Sequence, residues 1–522
     1  MLLLFLLTEI QYTIGMSEEK SLPQHIRGAH IHFVGIKGTG CIALVEILYA
    51  RGAVITGSDV SERFYTDEIL DKLGLKALPF SEDNITSDIA CVIYSSAYNP
   101  EKNPDLIEAR RLGIPMLLYT EALGAVSRLS CSAGICGVHG KTTTTGLTGT
   151  ILKALDLPSQ VLAGSIIASF DGNGLSGSCT MTSPTFEKAS KHFFVAETCE
   201  YQRHFMAFSP QKIILTSVES DHQDYYPTYE DIRSAFVDYL CKLPQGGQVI
   251  YCADDKGACE SLALAKEKRS DIQAIPYGTS AQGPYHITFG RVENGRQYFT
   301  LGESGEGKAC GIGECALSVP GEHNIRNAAA AVALVTELLR ADGKDPASYT
   351  EKIKAALLAF SGGKRRSEII GRAKTPGGED LIVLDDYGHH PTAIKTTLAG
   401  YRAFYKNHKI IVDFMSHTYT RTAALLEEFA SSFDSADLVI INKIYGSARE
   451  DASKAPVTGE ILAKCTQKYN KNTLYAAEFD QASALVLEEL AKPSGMKDGY
   501  LFVTMGAGDN WKVGKKVLEA LS

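Results

Sequence analysis

A short glycine-rich loop carries the strongest chemical signal in the sequence. It reads Gly137-Val138-His139-Gly140-Lys141-Thr142, after a small apolar stretch and before a helical pattern. Such a loop turns backbone N–H groups and a helix N-terminus toward phosphate. Lys141 would neutralise terminal phosphates, and the Thr142 hydroxyl would reach Mg²⁺. Only two residues separate the glycines, where the ordinary phosphate loop has four. A chance match is the alternative, but the setting favours a nucleotide site.

Acidic and imidazole side chains follow two apolar runs after this loop. Residues 192–196 lead into Glu197, and residues 212–218 lead into Asp221 and His222. In an open α/β sheet the carboxyl ends of strands form the ligand crevice, so Glu197 and His222 could meet over the same phosphate. Mg²⁺ needs hard ligands fixed on a scaffold. Taken alone, Glu197 could equally be a solvated loop acid.

A second glycine loop opens the chain's first helical pattern. Gly35-Ile36-Lys37-Gly38-Thr39-Gly40 follows an apolar strand predicted at residues 30–34, and Asp59 ends the next strand. This arrangement approaches a dinucleotide fingerprint, but Lys37 replaces the middle glycine that lets the backbone approach a pyrophosphate. We therefore expect no ordinary dinucleotide docking, although the Lys37 charge could meet a diphosphate.

Three further polar clusters follow along the chain. Asn324 and Asn327 stand three apart before an alanine-rich helix, where amides could read a base edge or simply cap the helix. The strand 381–384 ends in Asp385-Asp386-Tyr387-Gly388-His389-His390-Pro391, which suggests a metal or a substrate crevice. A zinc site would need further ligands, and none is evident nearby. The strand 410–414 leads to a cluster at 416–421.

Short apolar runs alternate with amphipathic stretches along the chain, which is typical of parallel sheets covered by helices. Three such blocks predict three domains, at 1–129, 130–361 and 362–522, with the small residues 361–363 as a hinge. The length of 522 residues agrees with several domains. From here on these ranges are called the first, second and third block.

The composition describes an ordinary globular protein. Hydrophobic residues make up 44% and charged residues 22%, and a net charge of -9 argues against a nucleic-acid partner. Twelve cysteines without a C-x-x-C pair favour a reducing compartment, and we expect a cytoplasmic protein. The opening MLLLFLL is too short for a signal peptide or a membrane span, no later apolar run is long enough to span, and Met16 is an alternative start.

Together the motifs resemble the Mur ligase family of bacterial cell-wall synthesis, over nearly the whole chain from Ile31 to Asp509. The resemblance rests on G-x-x-G-K-T-T-T, H-N-x-x-N-A-A-A-A and D-D-Y-G-H-H-P-T in combination. It implies an α/β protein of three mainly parallel domains: Rossmann-like at the N-terminus, a P-loop-type ATPase in the centre, and Rossmann-like at the C-terminus. In that order they would bind a UDP-sugar, ATP with Mg²⁺, and the incoming amino acid.

The resemblance also implies a reaction and the residues that perform it. The lactyl carboxylate of UDP-N-acetylmuramate would attack ATP to give an acyl phosphate, which L-alanine converts to an amide. Lys141, His222 and Arg366 are then catalytic, and the Mg²⁺ ligands are Thr142, Glu197 and His222. The ATP contacts are Gly137, Val138, His139, Gly140, Lys141, Thr142, Thr143, His323, Asn324, Arg366 and Asp385. The UDP-sugar contacts are Gly35, Lys37, Gly38, Thr39, Gly40, Ser58, Asp59, Ser95 and Ser96. The amino-acid contacts are Tyr387, His389, His417 and Arg421.

The sequence departs from common family patterns at several positions. Lys37 stands at a usual glycine, Thr418 stands where an arginine is frequent, and Glu200 lies in a less acidic stretch than usual, so no metal is assigned to it. No lysine occurs between His222 and Lys242, which favours the alanine-adding branch over those that use a carbamylated lysine. A ligase that recycles murein peptides is the nearest alternative, followed by a nucleotide-binding regulatory protein or a dehydrogenase. We expect a monomer or homodimer.

Overall fold

The structure is a computed structural model that describes residues 21–64, 66–170, 177–303, 310–446, 450 and 456–522. The run MLLLFLL and Met16 lie outside the described residues. The chain is α/β with mainly parallel sheets, which confirms the predicted fold class. Within the described ranges, no helix combines the length and the apolar character needed to cross a bilayer.

The first block contains a parallel four-stranded sheet in the order β2-β1-β3-β4. Its core strands are almost fully buried, because helices cover both faces of the sheet. The strands are β1 (His30–Val34), β2 (Val54–Ser58), β3 (Ile89–Tyr94) and β4 (Met116–Leu118). The α-helices are α1 (Thr39–Ala50), α2 (Asp67–Leu73), α3 (Pro104–Arg111) and α4 (Tyr119–Arg128).

The second block is built on a seven-stranded sheet in the order β11-β10-β9-β5-β8-β6-β7, parallel except for β6 with β7. Its strands are β5 (Cys131–Cys136), β6 (Ser159–Ile167), β7 (Ser178–Thr182), β8 (Phe193–Glu197), β9 (Lys212–Leu215), β10 (Gln248–Cys252) and β11 (Gln273–Tyr277). A separate antiparallel sheet, absent from the sequence prediction, contains β12 (Ile287–Glu293), β13 (Arg296–Glu303) and β14 (Cys310–Leu317). The α-helices are α5 (Lys141–Ala154), α6 (Tyr229–Leu240), α7 (Lys256–Lys268), α8 (Glu322–Ala341) and α9 (Thr350–Ala359).

The third block contains a six-stranded sheet in the order β15-β16-β20-β17-β18-β19, in which only β15 with β16 is antiparallel. The strands are β15 (Glu368–Lys374), β16 (Asp380–Asp386), β17 (Lys409–Met415), β18 (Leu438–Ile441), β19 (Thr473–Tyr475) and β20 (Tyr500–Gly506). The α-helices are α10 (Pro391–Phe404), α11 (Tyr419–Ala424), α12 (Leu426–Ala430), α13 (Gly459–Thr466), α14 (Phe479–Leu490) and α15 (Trp511–Leu521). The exact domain boundaries stay a prediction.

The topology brings the predicted chemistry to one sheet edge. Strand β5 lies between β8 and β9 and runs parallel to both, so the three carboxyl ends meet where the phosphate loop leaves β5. Helix α8 lies almost wholly buried against α5, and its run of four alanines allows the two helices to approach closely. The loop and the first turns of α5 and α8 are thereby fixed around one site.

The first and second blocks share a continuous apolar core. One buried cluster runs from Leu22 through the first sheet to Ile272. Polar contacts reinforce the junction, because Arg51 donates to Gln160 at 2.7 Å and to the Ser130 hydroxyl at 3.0 Å. The packing there leaves no room for side chains at Gly124, where a Cβ would lie 2.1 Å from the carbonyl oxygen of Ala207.

Candidate active site

The phosphate loop turns through two glycines in the left-handed region. Gly137 has φ 134° and Gly140 has φ 81°, and α5 begins at the next residue, Lys141. A Cβ on Gly140 would lie 2.5 Å from Oδ1 of Asn327, which leaves no room for a side chain. The short loop therefore presents the N-terminus of α5 to the site, which is the geometry that binds phosphate.

Lys141 lies at the centre of a buried charge cluster. Its Nζ is 3.0 Å from both carboxylate oxygens of Glu200 and also donates to the Gly137 carbonyl oxygen. Nε2 of His222 lies 3.4 Å from Oε1 of the same carboxylate. Burial disfavours the lysine charge, but Glu200 outweighs burial and raises the pKa of Lys141. Burial acts likewise on Glu200, yet Lys141 and His222 lower its pKa. Lys141 is therefore held as a cation.

Thr142 and Glu197 form the second polar pair of the site. The Thr142 hydroxyl donates to Oε1 of Glu197 at 3.0 Å, and the other oxygen of Glu197 accepts the Gly164 N–H at 2.7 Å. Glu197 is the last residue of β8, as the sequence predicted. Two hard oxygen donors fixed beside a phosphate loop fit the ligand preference of Mg²⁺.

Several non-glycine residues beside the site adopt a left-handed backbone. His222 has φ 55°, Ser367 has φ 53° and Thr418 has φ 66°. Such conformations cost of order 1–3 kcal/mol each and persist where the surrounding structure imposes them. All three residues line the same cavity, so part of the backbone strain of the chain lies where the polar side chains converge.

A cavity of about 1150 Å³ lies between the second and third blocks. It brings together most of the residues predicted for ATP, Mg²⁺ and the amino acid. Those in its wall are Val138, His139, Gly140, Lys141, Thr142, Thr143, Glu197, His222, His323, Asn324, Arg366, Tyr387, His389, His417 and Arg421. Residues from both sides of the predicted hinge thus face one space, as a reaction between two substrates requires.

His323 and Asn324 lie in the first turn of α8. Nδ2 of Asn324 donates to the Pro320 carbonyl oxygen at 2.7 Å, and its Oδ1 accepts from Asn327 at 3.2 Å. The helix cap itself is Gly321, so Asn324 does not fill that role. Burial, reinforced by Arg326, lowers the pKa of His323 to about 4, and its Nδ1 has no hydrogen-bond partner. His323 is therefore neutral at the cavity wall.

The two aspartates at the end of β16 are placed differently from the sequence expectation. Asp385, predicted as an ATP contact, does not line the cavity; it accepts from Arg365 Nε at 2.7 Å and from the Thr504 hydroxyl at 2.7 Å. Successive strand residues point to opposite faces, so Asp386 faces the cavity instead. Arg366 does reach the cavity, with its guanidinium carbon 5.0 Å from the centre of the Tyr387 ring.

The residues predicted for the amino acid form one group in the third block. The rings of Tyr387 and His389 lie 5.1 Å apart, and those of His389 and His417 lie 6.4 Å apart. Nε and Nη2 of Arg421 donate to Oδ1 of Asp221 at 3.0 and 2.6 Å. Burial opposes the aspartate charge, but Arg421 holds the pKa of Asp221 below its usual range. This pair joins the second and third blocks.

The residues predicted for the UDP-sugar lie apart from this cavity, at the carboxyl ends of the first sheet. Asp59 organises them, since it accepts from the Lys37 backbone N–H at 2.7 Å and from the Tyr98 hydroxyl at 2.7 Å. The Lys37 ammonium donates to carbonyl oxygens of Val60 and Glu62 at 3.0 and 2.9 Å. The Lys37 ammonium therefore points toward the protein backbone and is already hydrogen-bonded there. The others surround the start of α1, end β2 or follow β3; they are Gly35, Gly38, Thr39, Gly40, Ser58, Ser95 and Ser96.

Four polar residues to which the sequence analysis gave no site role lie at these sites. Glu200 and Asp221 contact predicted residues directly, Asp386 replaces Asp385 at the wall, and Tyr98 supports Asp59. The position of Asp221 next to His222 in the sequence could have indicated that Asp221 lies at the site. Glu200 gave none, because it precedes the kinked 3-10 segment Tyr201–Ala207, whose left-handed residues are not evident from their types.

Three family models match the chain in succession. Residues 30–130 match the Mur ligase family catalytic domain, residues 135–335 the Mur ligase middle domain, and residues 365–508 the Mur ligase glutamate ligase domain. A three-part α/β ligase is therefore the class that the fold and the cavity define, and the chain belongs to the Mur ligase family.

Named relatives cover nearly the whole chain. The UDP-N-acetylmuramate–L-alanine ligase of Treponema pallidum (strain Nichols) is 46% identical over 95% of this chain and 97% of its own. The enzyme of that name from Borreliella burgdorferi is 35% identical over 92% and 97%. Among solved structures, the UDP-N-acetylmuramate–alanine ligase of Thermotoga maritima matches with a TM-score of 0.66 and 25% identity, over 94% of this chain and 98% of that one.

Proposed function

We propose that the chain is an ATP-dependent ligase that joins L-alanine to the lactyl carboxylate of UDP-N-acetylmuramate, with release of ADP and phosphate. The relatives that carry this name span almost the full chain, which supports the whole reaction rather than one part of it. The observation that carries the proposal is the single cavity that joins the phosphate loop to the amino-acid cluster of the third block.

In this proposal the second block binds ATP. Lys141 and the N-terminus of α5 hold the terminal phosphates, and His323 and Asn324 line the space for the adenine. Thr142, Glu197 and His222 would hold Mg²⁺, which neutralises phosphate charge when it is bound. Glu200 keeps Lys141 protonated and oriented, so the lysine is charged when negative charge develops on the transferring phosphoryl group.

The first block would supply the nucleotide sugar. The start of α1, with its free N–H groups, suits the diphosphate. Since the Lys37 ammonium is already paired with carbonyl oxygens, we assign the diphosphate to backbone amides and give Lys37 a role in shaping the loop. Asp59 stabilises that loop, and the Tyr98 hydroxyl donates a hydrogen bond to Asp59.

The third block would bring in L-alanine. Arg421 has one edge on Asp221, and its remaining N–H groups are suited to the alanine carboxylate. His389 is half-buried in the cavity wall, and desolvation lowers its pKa well below the ordinary value, so it meets the ammonium of alanine as a neutral imidazole. Attack on the acyl phosphate then depends on alignment, since the chemistry needs little covalent work from the protein.

An ADP-release assay with UDP-N-acetylmuramate, Mg²⁺-ATP and single amino acids tests the proposal. We expect turnover with L-alanine. Turnover only with the tripeptide would identify a recycling ligase instead. Lys141→Ala should lower kcat by several orders of magnitude in a folded protein, because it removes an interaction that is strongest in the transition state. Near-normal turnover in that variant would contradict the proposed phosphate site.

A further inference from the structure

Three side chains from distant parts of the sequence converge on one wall of the cavity. His139 belongs to the phosphate loop, Glu219 follows β9, and His390 precedes α10 in the third block. Their potential ligand atoms all lie within 4.8 Å of one another. None of the three is among the residues proposed for Mg²⁺.

His390 is the unexplained member of this cluster. The residue is only 5% exposed, and neither ring nitrogen has a hydrogen-bond partner. Its Nδ1 lies 3.6 Å from Oε1 of Glu219, which is too far for a hydrogen bond. Leaving a buried donor or acceptor without a partner costs about 1–3 kcal/mol. A ligand between the imidazole and the carboxylate would remove that cost.

The other two members are already oriented toward the same point. Nε2 of His139 contacts Oε1 of Glu219, and the rings of His139 and His390 lie 5.1 Å apart. The Thr392 hydroxyl donates to the second oxygen of Glu219 at 3.0 Å. A hydrogen bond to the outer oxygen of a carboxylate is how proteins orient metal ligands.

We infer that His139, Glu219 and His390 form a zinc site that joins the phosphate loop to the third block. Two imidazoles and one carboxylate are a known donor set for Zn²⁺ with an open fourth position, whereas Mg²⁺ prefers oxygen ligands. Bond lengths of about 2.1 Å place tetrahedral donors about 3.4 Å apart, so shifts of about 1 Å complete the site.

Zinc at this position would stabilise one arrangement of the second and third blocks. A ligand shifts a conformational equilibrium toward the state in which its contacts are complete, and here that state has both blocks in contact. Zn²⁺ should therefore slow turnover by opposing separation of the blocks, and it should act at concentrations far below those of Mg²⁺.

The test uses the full chain, stripped of metal, with Co²⁺ as the spectroscopic probe. One equivalent should give the visible absorption of tetrahedral Co²⁺, and Zn²⁺ should displace it while excess Mg²⁺ should not. His390→Asn and Glu219→Gln should each weaken Zn²⁺ binding about 100-fold or more. His389→Asn changes the neighbouring histidine in the same way and should retain the affinity. Circular dichroism and thermal melts confirm that each variant is folded.

Any of three results would overturn the inference. The first is the absence of a stoichiometric tetrahedral Co²⁺ spectrum in the unmodified chain, and the second is unchanged Zn²⁺ affinity in the folded His390→Asn variant. Displacement by Mg²⁺ would assign the cluster to the magnesium chemistry and would count against it equally. Because metal binding is read without substrates, these results do not depend on the proposed ligase reaction.

Discussion

Asp221→Asn tests how the amino-acid pocket is built. The aspartate receives two hydrogen bonds from Arg421, at 2.6 and 3.0 Å, and the two side chains are 5% and 7% exposed. We argue that Asp221 fixes the edge of the guanidinium and leaves the remaining N–H groups for the alanine carboxylate. The substitution keeps the size of the side chain but removes its charge. Arg421 would then lose its fixed orientation.

The magnitude follows from the charge and burial of this pair. Hydrogen bonds to charged groups contribute about 1.5–3 kcal/mol, which corresponds to about 10-fold to 150-fold in an equilibrium constant. We therefore expect the KM for L-alanine to rise by that factor in Asp221→Asn. The KM for ATP should change by less than about threefold, because Lys141 and the phosphate loop do not contact Asp221 in the described hydrogen-bond network.

Steady-state ADP release, with each substrate varied in turn, measures both constants. Asp224→Asn is the matched control, since Asp224 lies in the same loop but is exposed and accepts only from the Tyr201 hydroxyl in the described contacts. If Asp221 served only to hold the two blocks together, the KM of all three substrates would rise in parallel. An unchanged KM for alanine, or equal effects in the two variants, would refute the reasoning.

Three further predictions concern stability. Burial raises the pKa of Asp413 to about 7. The contribution of this group to the free energy of unfolding should therefore fall by up to about 4 kcal/mol as the pH rises from about 4 to about 7, and Asp413→Asn should remove that contribution from melts across this range. Gly124→Ala should cost about 1–3 kcal/mol in urea unfolding, because its Cβ would meet the Ala207 carbonyl oxygen. Asp385→Asn should lower Tm through the loss of its Arg365 contact and leave the KM for ATP within about twofold.

Each of these has its own control and contrary result. Gly377→Ala, at a glycine with open space nearby, should change stability little, and an equal loss there would show that Gly124 is not sterically special. If the stability of wild type and of Asp413→Asn changed with pH in the same way, the raised pKa assigned to Asp413 would be contradicted. A tenfold rise in the KM for ATP in Asp385→Asn would restore the ribose role that the sequence comparison implied.

Much of the fold could be predicted from the hydrophobic pattern. Strand β1 was predicted with its exact bounds, because five residues of a buried parallel strand are framed by polar and glycine residues. The run 212–218 was predicted as strand, but β9 ends at Leu215. Beyond that point the side chains of Thr216 and Ser217 bond the backbone of His139, at 2.5 and 3.0 Å, and support the phosphate loop. Local pattern cannot reveal such a long-range partner.

The candidate site could be predicted where a single continuous segment determines the positions of its residues. It could not be predicted where residues distant in sequence come together. The phosphate loop needs only its glycines and the following helix, and Thr142 lies beside Glu197 as predicted, whereas the contact of Lys141 with Glu200 was not predicted. The sequence could not show whether Asp385 or Asp386 faces the cavity, because that depends on which face of β16 meets it. The histidine pair at 389 and 390 suggested a metal, but the partners of His390 lie 171 and 251 residues earlier in the chain.

The contacts between blocks also indicate how the cavity opens. The first and second blocks share a buried apolar cluster. Separating them would expose apolar surface to water, which costs about 25 cal/mol of free energy for each Å² exposed. The second and third blocks meet across the cavity through polar pairs, among them Arg421 with Asp221 and Thr392 with Glu219. Water can replace such hydrogen-bond partners, so separating the second and third blocks costs far less free energy than separating the first and second. If the cavity opens, we therefore expect the third block to move, and this block carries the residues that we propose for alanine.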